Sequence, residues 1–290
     1  MRCLTSTVRS TAITCDHPEG GAGGQVVREE SLLPSDAEVV PLVSPFTEAI
    51  NGRFRGLKAF VAGATGGTGR NIVKQLVAQG VPVQALVRDP LRAVTLLPGS
   101  QDGCVELLKG DVYQFSTLPS AMAGCNVVLI ATGSQPLTDP FGPYNVDYQG
   151  TVNIVAAAKQ QGIEKIVLVS SIGADEPFFP LNLLFGVLFW KKRAEEEVQR
   201  SGIDYTIVRP GGLLNEPRQG QPTGGVVMEG PATFGLPPKR TPSGPILRSQ
   251  VAEVCIEALV EPAASNKVVE VVTDQAVPAR PYSELFASVW

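Results

Sequence analysis

From Leu57 onward the sequence predicts an α/β fold, a doubly wound parallel sheet with helices on both faces. Three observations predict it. Short apolar runs alternate with helical stretches along the whole segment. Two runs, Val127 to Ile130 and Ile166 to Val169, are apolar without interruption, as in strands covered on both sides. The first run leads directly into a loop with glycines at 63, 66, 67 and 69, and a helical pattern follows.

Taken in order, strands are expected near residues 58–63, 82–88, 105–108, 126–131, 164–170, 204–209 and 267–272. Helices are expected between them, near 67–79, 116–123, 145–161, 183–201 and 249–260. In the first helix Ile72, Val73, Leu76 and Val77 recur at helical spacing, and Gly80 is a natural stop. Proline and glycine cluster over 210–245, which makes this the longest irregular stretch of the body. No repeat of solenoid period is visible.

The loop carries the first chemistry. Gly63, Ala64, Thr65, Gly66, Gly67, Thr68, Gly69 and Arg70 join a strand to a helix start, which is the context a dinucleotide site needs. Gly63 and Gly66 let the backbone turn and approach a pyrophosphate, and the helix aims free N–H groups at the anion. A glycine-rich turn without a ligand is the alternative. In such sheets ligands bind beyond the carboxyl ends of the strands, where the order of connection reverses.

Composition narrows the rest. The chain has 290 residues, 43% of them apolar and 18% charged, enough for a large core. A net charge of -4 gives no attraction for phosphate backbones, so nucleic acid is not an expected partner. His17 is the only histidine and lies outside the α/β segment. The five cysteines, at 3, 15, 104, 125 and 255, have neither metal-ligand spacing nor a disulfide framework, and no metal is expected. Cys104, Cys125 and Cys255 read as small core residues.

Residues 1–50 form a separate unit, a transit peptide and disordered linker ahead of one domain at 51–290. Residues 1–15 hold Arg2, Arg9 and six Ser or Thr, with no acid before Asp16. An ordinary frayed chain end has similar composition.

The motifs G-A-T-G-G-T-G-R at 63–70, L-V-R-D at 86–89, G-D-V at 110–112, A-T-G at 131–133, V-S-S-I-G at 169–173 and Y-T-I-V-R-P-G-G at 205–212 resemble the atypical branch of the short-chain dehydrogenase/reductase superfamily. Within it, the later segments R-S-Q-V-A-E-V and K-V-V-E-V-V look closest to plastid NAD(P)-binding Rossmann-type proteins. They are also similar to the dehydrogenase-like part of a redox component of the chloroplast inner-envelope translocon. The resemblance implies a Rossmann-type domain and a chloroplast location, in the stroma, on the thylakoid surface or at plastoglobules. It also implies that Asp111 and Val112 border the adenine, Ala131, Thr132 and Gly133 the ribose, and Pro210 and Gly211 the nicotinamide.

The end of the second strand bears on the choice of coenzyme. An acid there binds the ribose 2′-OH of NAD, whereas a base pairs with the 2′-phosphate of NADP. Arg88, with Arg70 near the loop, favours NADP, and Asp89 leaves NAD as the alternative. Arg88 is otherwise a solvated strand-end charge.

The resemblance also implies a catalytic serine at Ser170 or Ser171 and a lysine at Lys191 or Lys192, after a tyrosine four positions earlier. That tyrosine is missing. Val187 and Leu188 stand four before the two lysines, and neither transfers a proton. Tyr148 is a candidate substitute acid, though an aromatic at a helix start is more often a packing residue.

Residues 178–190 are apolar apart from Asn182, but thirteen residues are too few to span a bilayer, so no transmembrane helix is expected. A buried helix, a lid over a hydrophobic small-molecule substrate, and peripheral contact with lipid or a thylakoid surface all fit this stretch. Two functions follow as expectations: an NADP(H)-dependent oxidoreductase on a hydrophobic substrate, or a non-catalytic NADP(H) redox sensor or scaffold at a thylakoid or plastoglobule surface.

Overall fold

A computed structural model describes residues 52–217, 224–236 and 240–290. The expectations for residues 1–50, and part of the irregular stretch after Pro210, lie outside the described residues.

Strands form along the short, mostly apolar runs. They are β1 (Ala59–Ala62), β2 (Val83–Val87), β3 (Val105–Lys109), β4 (Val127–Ile130), β5 (Lys165–Val169) and β6 (Asp204–Pro210). Short strands follow at β7 (Gly212–Leu214), β8 (Gly225–Glu229), β9 (Phe234–Gly235), β10 (Thr241–Pro242) and β11 (Pro245–Leu247), before β12 (Lys267–Asp274). The helices are α1 (Gly67–Ala78), α2 (Pro90–Leu96), α3 (Leu118–Ala121), α4 (Gly150–Gln161), α5 (Val187–Gln199), α6 (Arg248–Ala258) and α7 (Tyr282–Ser288).

Eight strands make one sheet in the order β3-β2-β1-β4-β5-β6-β12-β8. Neighbours pair in parallel except β8, which runs antiparallel to β12. This is the doubly wound Rossmann-type sheet that the alternation of runs predicts. The chain builds outward from β1 through β2 to β3, then crosses back to β4 and builds the other way. The reversal therefore lies between β1 and β4, and the residues after these strands, Gly63 and Ala131, face each other across it.

Successive β1 residues point to opposite faces, as strand geometry requires. Ala59 and Val61 pack with Ile72, Val73 and Leu76 of α1 and Val251 and Cys255 of α6. Phe60 and Ala62 pack with Leu118, Met122, Ile154 and Ala158 on the other face. Both layers are buried, and each large side chain buried contributes about 1.5–3 kcal/mol. Burial pushes the thiol of Cys125 up to about 11 and that of Cys255 to about 12, so neither is poised to react.

Three features were not expected from periodicity. Helix α2 starts at Asp89, whose Oδ1 accepts a hydrogen bond from Arg92 N–H at 3.1 Å, with Pro90 in the first turn. The residues just before α4, Pro143–Gln149, adopt a π-helical turn. The stretch expected to be helical from 183 opens instead with a 3-10 turn at Pro180–Leu183, and α5 begins only at Val187. Phe185, at φ 53°, and Gly186, at φ 69°, separate the two in left-handed conformations that stop the first turn from running into the helix.

The contact between β1 and α1 fixes the loop. A Cβ on Gly69 would stand 2.1 Å from the carbonyl oxygen of Gly63, a clash with backbone that no rotamer relieves. Gly69→Ala should therefore destabilise the protein by about 1–3 kcal/mol, visible as a lower urea midpoint with an unchanged slope.

Candidate cofactor and active site

The loop after β1 is built for close backbone approach. Gly63 has φ 77°, and a Cβ there would meet the carbonyl oxygen of Ala131 at 2.5 Å. Gly66 N–H bonds to Gly63 C=O at 3.0 Å, which tightens the turn. Gly66 then caps α1 with no side chain, leaving the helix N-terminus open. Ala64, Thr68 and Gly69 are buried beneath the turn, while Thr65, Gly66 and Arg70 face solvent.

Around this loop the strand ends converge. Arg88 is exposed at the end of β2, and the carboxylate beside it, Asp89, is engaged in capping α2. Asp111 Oδ1 accepts from Tyr113 N–H at 3.0 Å. Val112 is buried, in contact with the space a Cβ on Gly150 would fill. Ala131 and Thr132 are half-buried and Gly133 is exposed.

A second group of residues lies beyond β5. Ser170 is buried, and its hydroxyl donates to Glu195 Oε1 at 2.6 Å. Ser171 is half-buried and donates to the carbonyl of Ile172 at 3.1 Å. Lys191 Nζ lies 2.8 Å from Asp147 Oδ1, and the other oxygen of Asp147 accepts from the Ser134 hydroxyl and N–H. Thr132, Asp147, Thr151, Ser170, Lys191 and Ala194 line one small recess. Lys192 turns elsewhere, 3.5 Å from Glu195 Oε2. Tyr148 stacks its ring with Trp190 at 5.5 Å and Tyr144 at 5.9 Å and is not among the residues lining the recess.

Helix periodicity explains how α5 serves two networks. Lys191, Ala194, Glu195 and Val198 share its inward face. Lys191 meets Asp147, and Glu195, one turn later, meets Arg209. The guanidinium of Arg209 is 1% exposed and binds Glu195 through two nitrogens, at 2.9 and 2.7 Å. It also reaches Glu270 at 3.3 Å and Asp175 at 3.2 Å. Burial alone would lower the pKa of Arg209, but the hydrogen bonds and charge of Glu195, with Asp175 and Glu270, raise it further and keep it charged. Glu270 in turn accepts the N–H groups of Ala232, Thr233 and Phe234. Pro210 and Gly211 continue directly from this knot. A Cβ on Gly211 would meet the carbonyl of Gly244 at 2.1 Å.

A family model described as NAD(P)H-binding matches residues 63–262. The chain belongs to this family of atypical short-chain dehydrogenase/reductase-like proteins. An uncharacterized chloroplastic protein of Arabidopsis thaliana is 44% identical, over 80% of this chain and 82% of its own length. Protein TIC 62, chloroplastic, of Arabidopsis thaliana is 32% identical over 79% of this chain, but the match spans only 38% of TIC 62. Sanguinarine reductase of Eschscholzia californica is 30% identical over 73% of this chain and 87% of that protein. Among solved structures, ChuY of Escherichia coli O157:H7, an anaerobillin reductase, superposes with a TM-score of 0.59 at 25% identity, covering 77% of this chain and all of that one.

Within this NAD(P)H-binding chain, sequence reasoning gave Asp147 no role and did not pair Arg209 with Glu195. Asp147 stands beside Tyr148, which drew attention as the hydroxyl-bearing neighbour; the one acid between Asp139 and Glu164 was the available signal. Among the described residues no cluster of His, Cys, Asp and Glu is arranged to hold a metal ion, and no helix is long and apolar enough to cross a membrane.

Two outcomes are expected of the buried charges. Arg209→Met leaves Glu270 without its cation and Glu195 with only Lys192 at 3.5 Å, and should cost about 3–5 kcal/mol of stability by urea denaturation. Asp175 is buried enough to raise its pKa, but the hydrogen bond from Arg240 and the charge of Arg209 outweigh this and hold it below the ordinary carboxylate value. A carboxyl depressed in this way adds stability above its unfolded pKa and loses it as pH falls through the folded one. Asp175→Asn should therefore be less stable than the parent near neutrality, and the gap should close below about pH 4.

Proposed function

We propose that this chain is a chloroplast NADP(H)-dependent oxidoreductase acting on a hydrophobic substrate. The observation that carries the coenzyme reading is the pair at the end of β2. Arg88 stands exposed with no acidic partner among the described residues, while Asp89, the residue that would favour NAD, is engaged at the start of α2. The glycine loop fits the group it would hold, because side chains at Gly63 and Gly69 would occupy backbone space. The chloroplast assignment follows the relatives named chloroplastic, and the reaction class follows the two named reductases.

When bound, the coenzyme supplies hydride. The protein supplies position and charge. Arg88, with Arg70 nearby, receives the 2′-phosphate; the loop 63–69 receives the pyrophosphate; Asp111 and Val112 flank the adenine, and Ala131 to Gly133 the ribose. Lys191, steadied by Asp147, would hold the nicotinamide ribose, and Pro210 and Gly211 would border the nicotinamide. Ser171 offers the exchangeable hydroxyl, since its bond is only to the next carbonyl, whereas the proton of Ser170 is held by Glu195. With Val187 where a tyrosine would stand, substrates that accept hydride before any proton, or take the proton from water, suit this site best. Tyr148 belongs to the aromatic group under Trp190 and ranks behind them as an acid. Phe178, Leu183 and Phe185, all exposed, offer a greasy surface that would meet such a substrate or rest against a thylakoid or plastoglobule surface.

Val187 also favours a second reading, a non-catalytic NADP(H) sensor or scaffold. The two separate cleanly. Titration of NADPH fluorescence should give tight binding, and Arg88→Gln should weaken NADPH by roughly ten- to hundredfold while leaving NADH unchanged. Equal effects on both coenzymes would overturn the role of Arg88. Oxidation of NADPH by plastid quinones or aldehydes then supports the enzyme, and binding without turnover across the panel supports the sensor.

A further inference from the structure

The mouth of the glycine loop is covered from an unexpected direction. Helix α6 packs along α1, with Gln75 Nε2 donating to the carbonyl of Ser249 at 3.0 Å, and its first residue, Arg248, reaches back across Gly67. A Cβ on Gly67 would stand 2.7 Å from both Cδ and Nε of Arg248 and 3.5 Å from the guanidinium carbon. Gly67 thus lacks a side chain where the arginine lies.

The charge of Arg248 is the telling point. Its described bonds go to neutral oxygens, Asn215 Oδ1 at 2.8 Å and the carbonyl of Leu213 at 3.5 Å. Among the described residues it has no carboxylate. A guanidinium set beside a helix N-terminus meets the positive end of the dipole, an arrangement that favours an anion between the two. The loop below presents N–H groups, and Arg248 presents a planar fork above, so together they form the two jaws of a diphosphate site.

We infer that Arg248 is a clamp for the coenzyme pyrophosphate, swinging from Asn215 onto the bridging diphosphate when the coenzyme enters. This rests on the coenzyme reading above and adds to it a residue that sets affinity. A diphosphate is common to NADP(H) and NAD(H), so Arg248 acts on both coenzymes, in contrast to Arg88, which reads only the 2′-phosphate. Asn215 is the resting partner that keeps the side chain extended across Gly67.

The test is calorimetric titration of the full chain with NADPH and NADH, comparing the parent with Arg248→Gln and Arg248→Lys and checking each variant by thermal melting. Arg248→Gln should weaken both coenzymes by the same factor, roughly ten- to hundredfold, with the melting temperature of the free protein unchanged. Arg248→Lys, which keeps charge and fold but loses the fork, should fall between; it also serves if the glutamine variant does not fold. Unchanged affinity for both coenzymes overturns the clamp while leaving the coenzyme reading intact. Loss confined to NADPH overturns the diphosphate assignment. A parent chain that binds neither coenzyme overturns the coenzyme reading itself, and the clamp with it.

Discussion

A buried guanidinium holds the far half of this molecule together. Arg209 closes β6 with its charge inside the protein, and no such charge is stable alone in a medium of low dielectric. It is matched by Glu195 from α5, Glu270 from β12 and Asp175 from the loop after β5. Three elements far apart in the chain are thereby drawn to one point, and the requirement that every lone pair and N–H be satisfied leaves little freedom in how they meet. The N–H groups of Ala232, Thr233 and Phe234 complete the shell around Glu270, which ties the chain after β8 to the same knot.

The candidate active site inherits its geometry from this constraint. Because Glu195 is fixed by Arg209, helix α5 cannot rotate, and Lys191 one turn earlier is aimed at Asp147. Ser170, held by Glu195, belongs to the buried network, and Ser171 is left as the adaptable hydroxyl of the pair. A carboxylate that itself serves the fold thus ties one of two adjacent serines into the buried network and leaves the other bonded only to the next carbonyl.

At the other end of the crevice the constraint is steric. Strand β1, helix α1 and the turn after β4 approach so closely that only glycine fits at 63 and 69. That closeness leaves positions 63 and 69 without side chains, and the turn lies at the point where the strand order reverses. The apolar stretch from Phe178 to Trp190 leads into α5. It is broken by the left-handed pair Phe185 and Gly186, so that its first part lies exposed as a turn while the helix after it turns inward.

Local rules were enough to read the sheet. Continuous apolar runs, the glycine loop and the helical spacing of Ile72, Val73 and Leu76 each depend on residues within one turn or strand, and they gave the doubly wound fold, the position of the loop and the absence of a tyrosine before Lys191. Helix α2 was equally local, signalled by Asp89 and Pro90, but its weak periodicity hid it. Pairings across long separations were not legible. Asp147 and Lys191 are 44 positions apart, Arg209 and Glu270 are 61 apart, and nothing local to any of them names its partner. The sequence by itself determined the main strands and helices of the sheet and the glycine turn after the first strand, because these follow from short-range sterics and periodicity. Only the tertiary structure decided which charges are buried together and which arginine lies over Gly67, because burial and pairing arise from packing and leave no periodic mark on the chain.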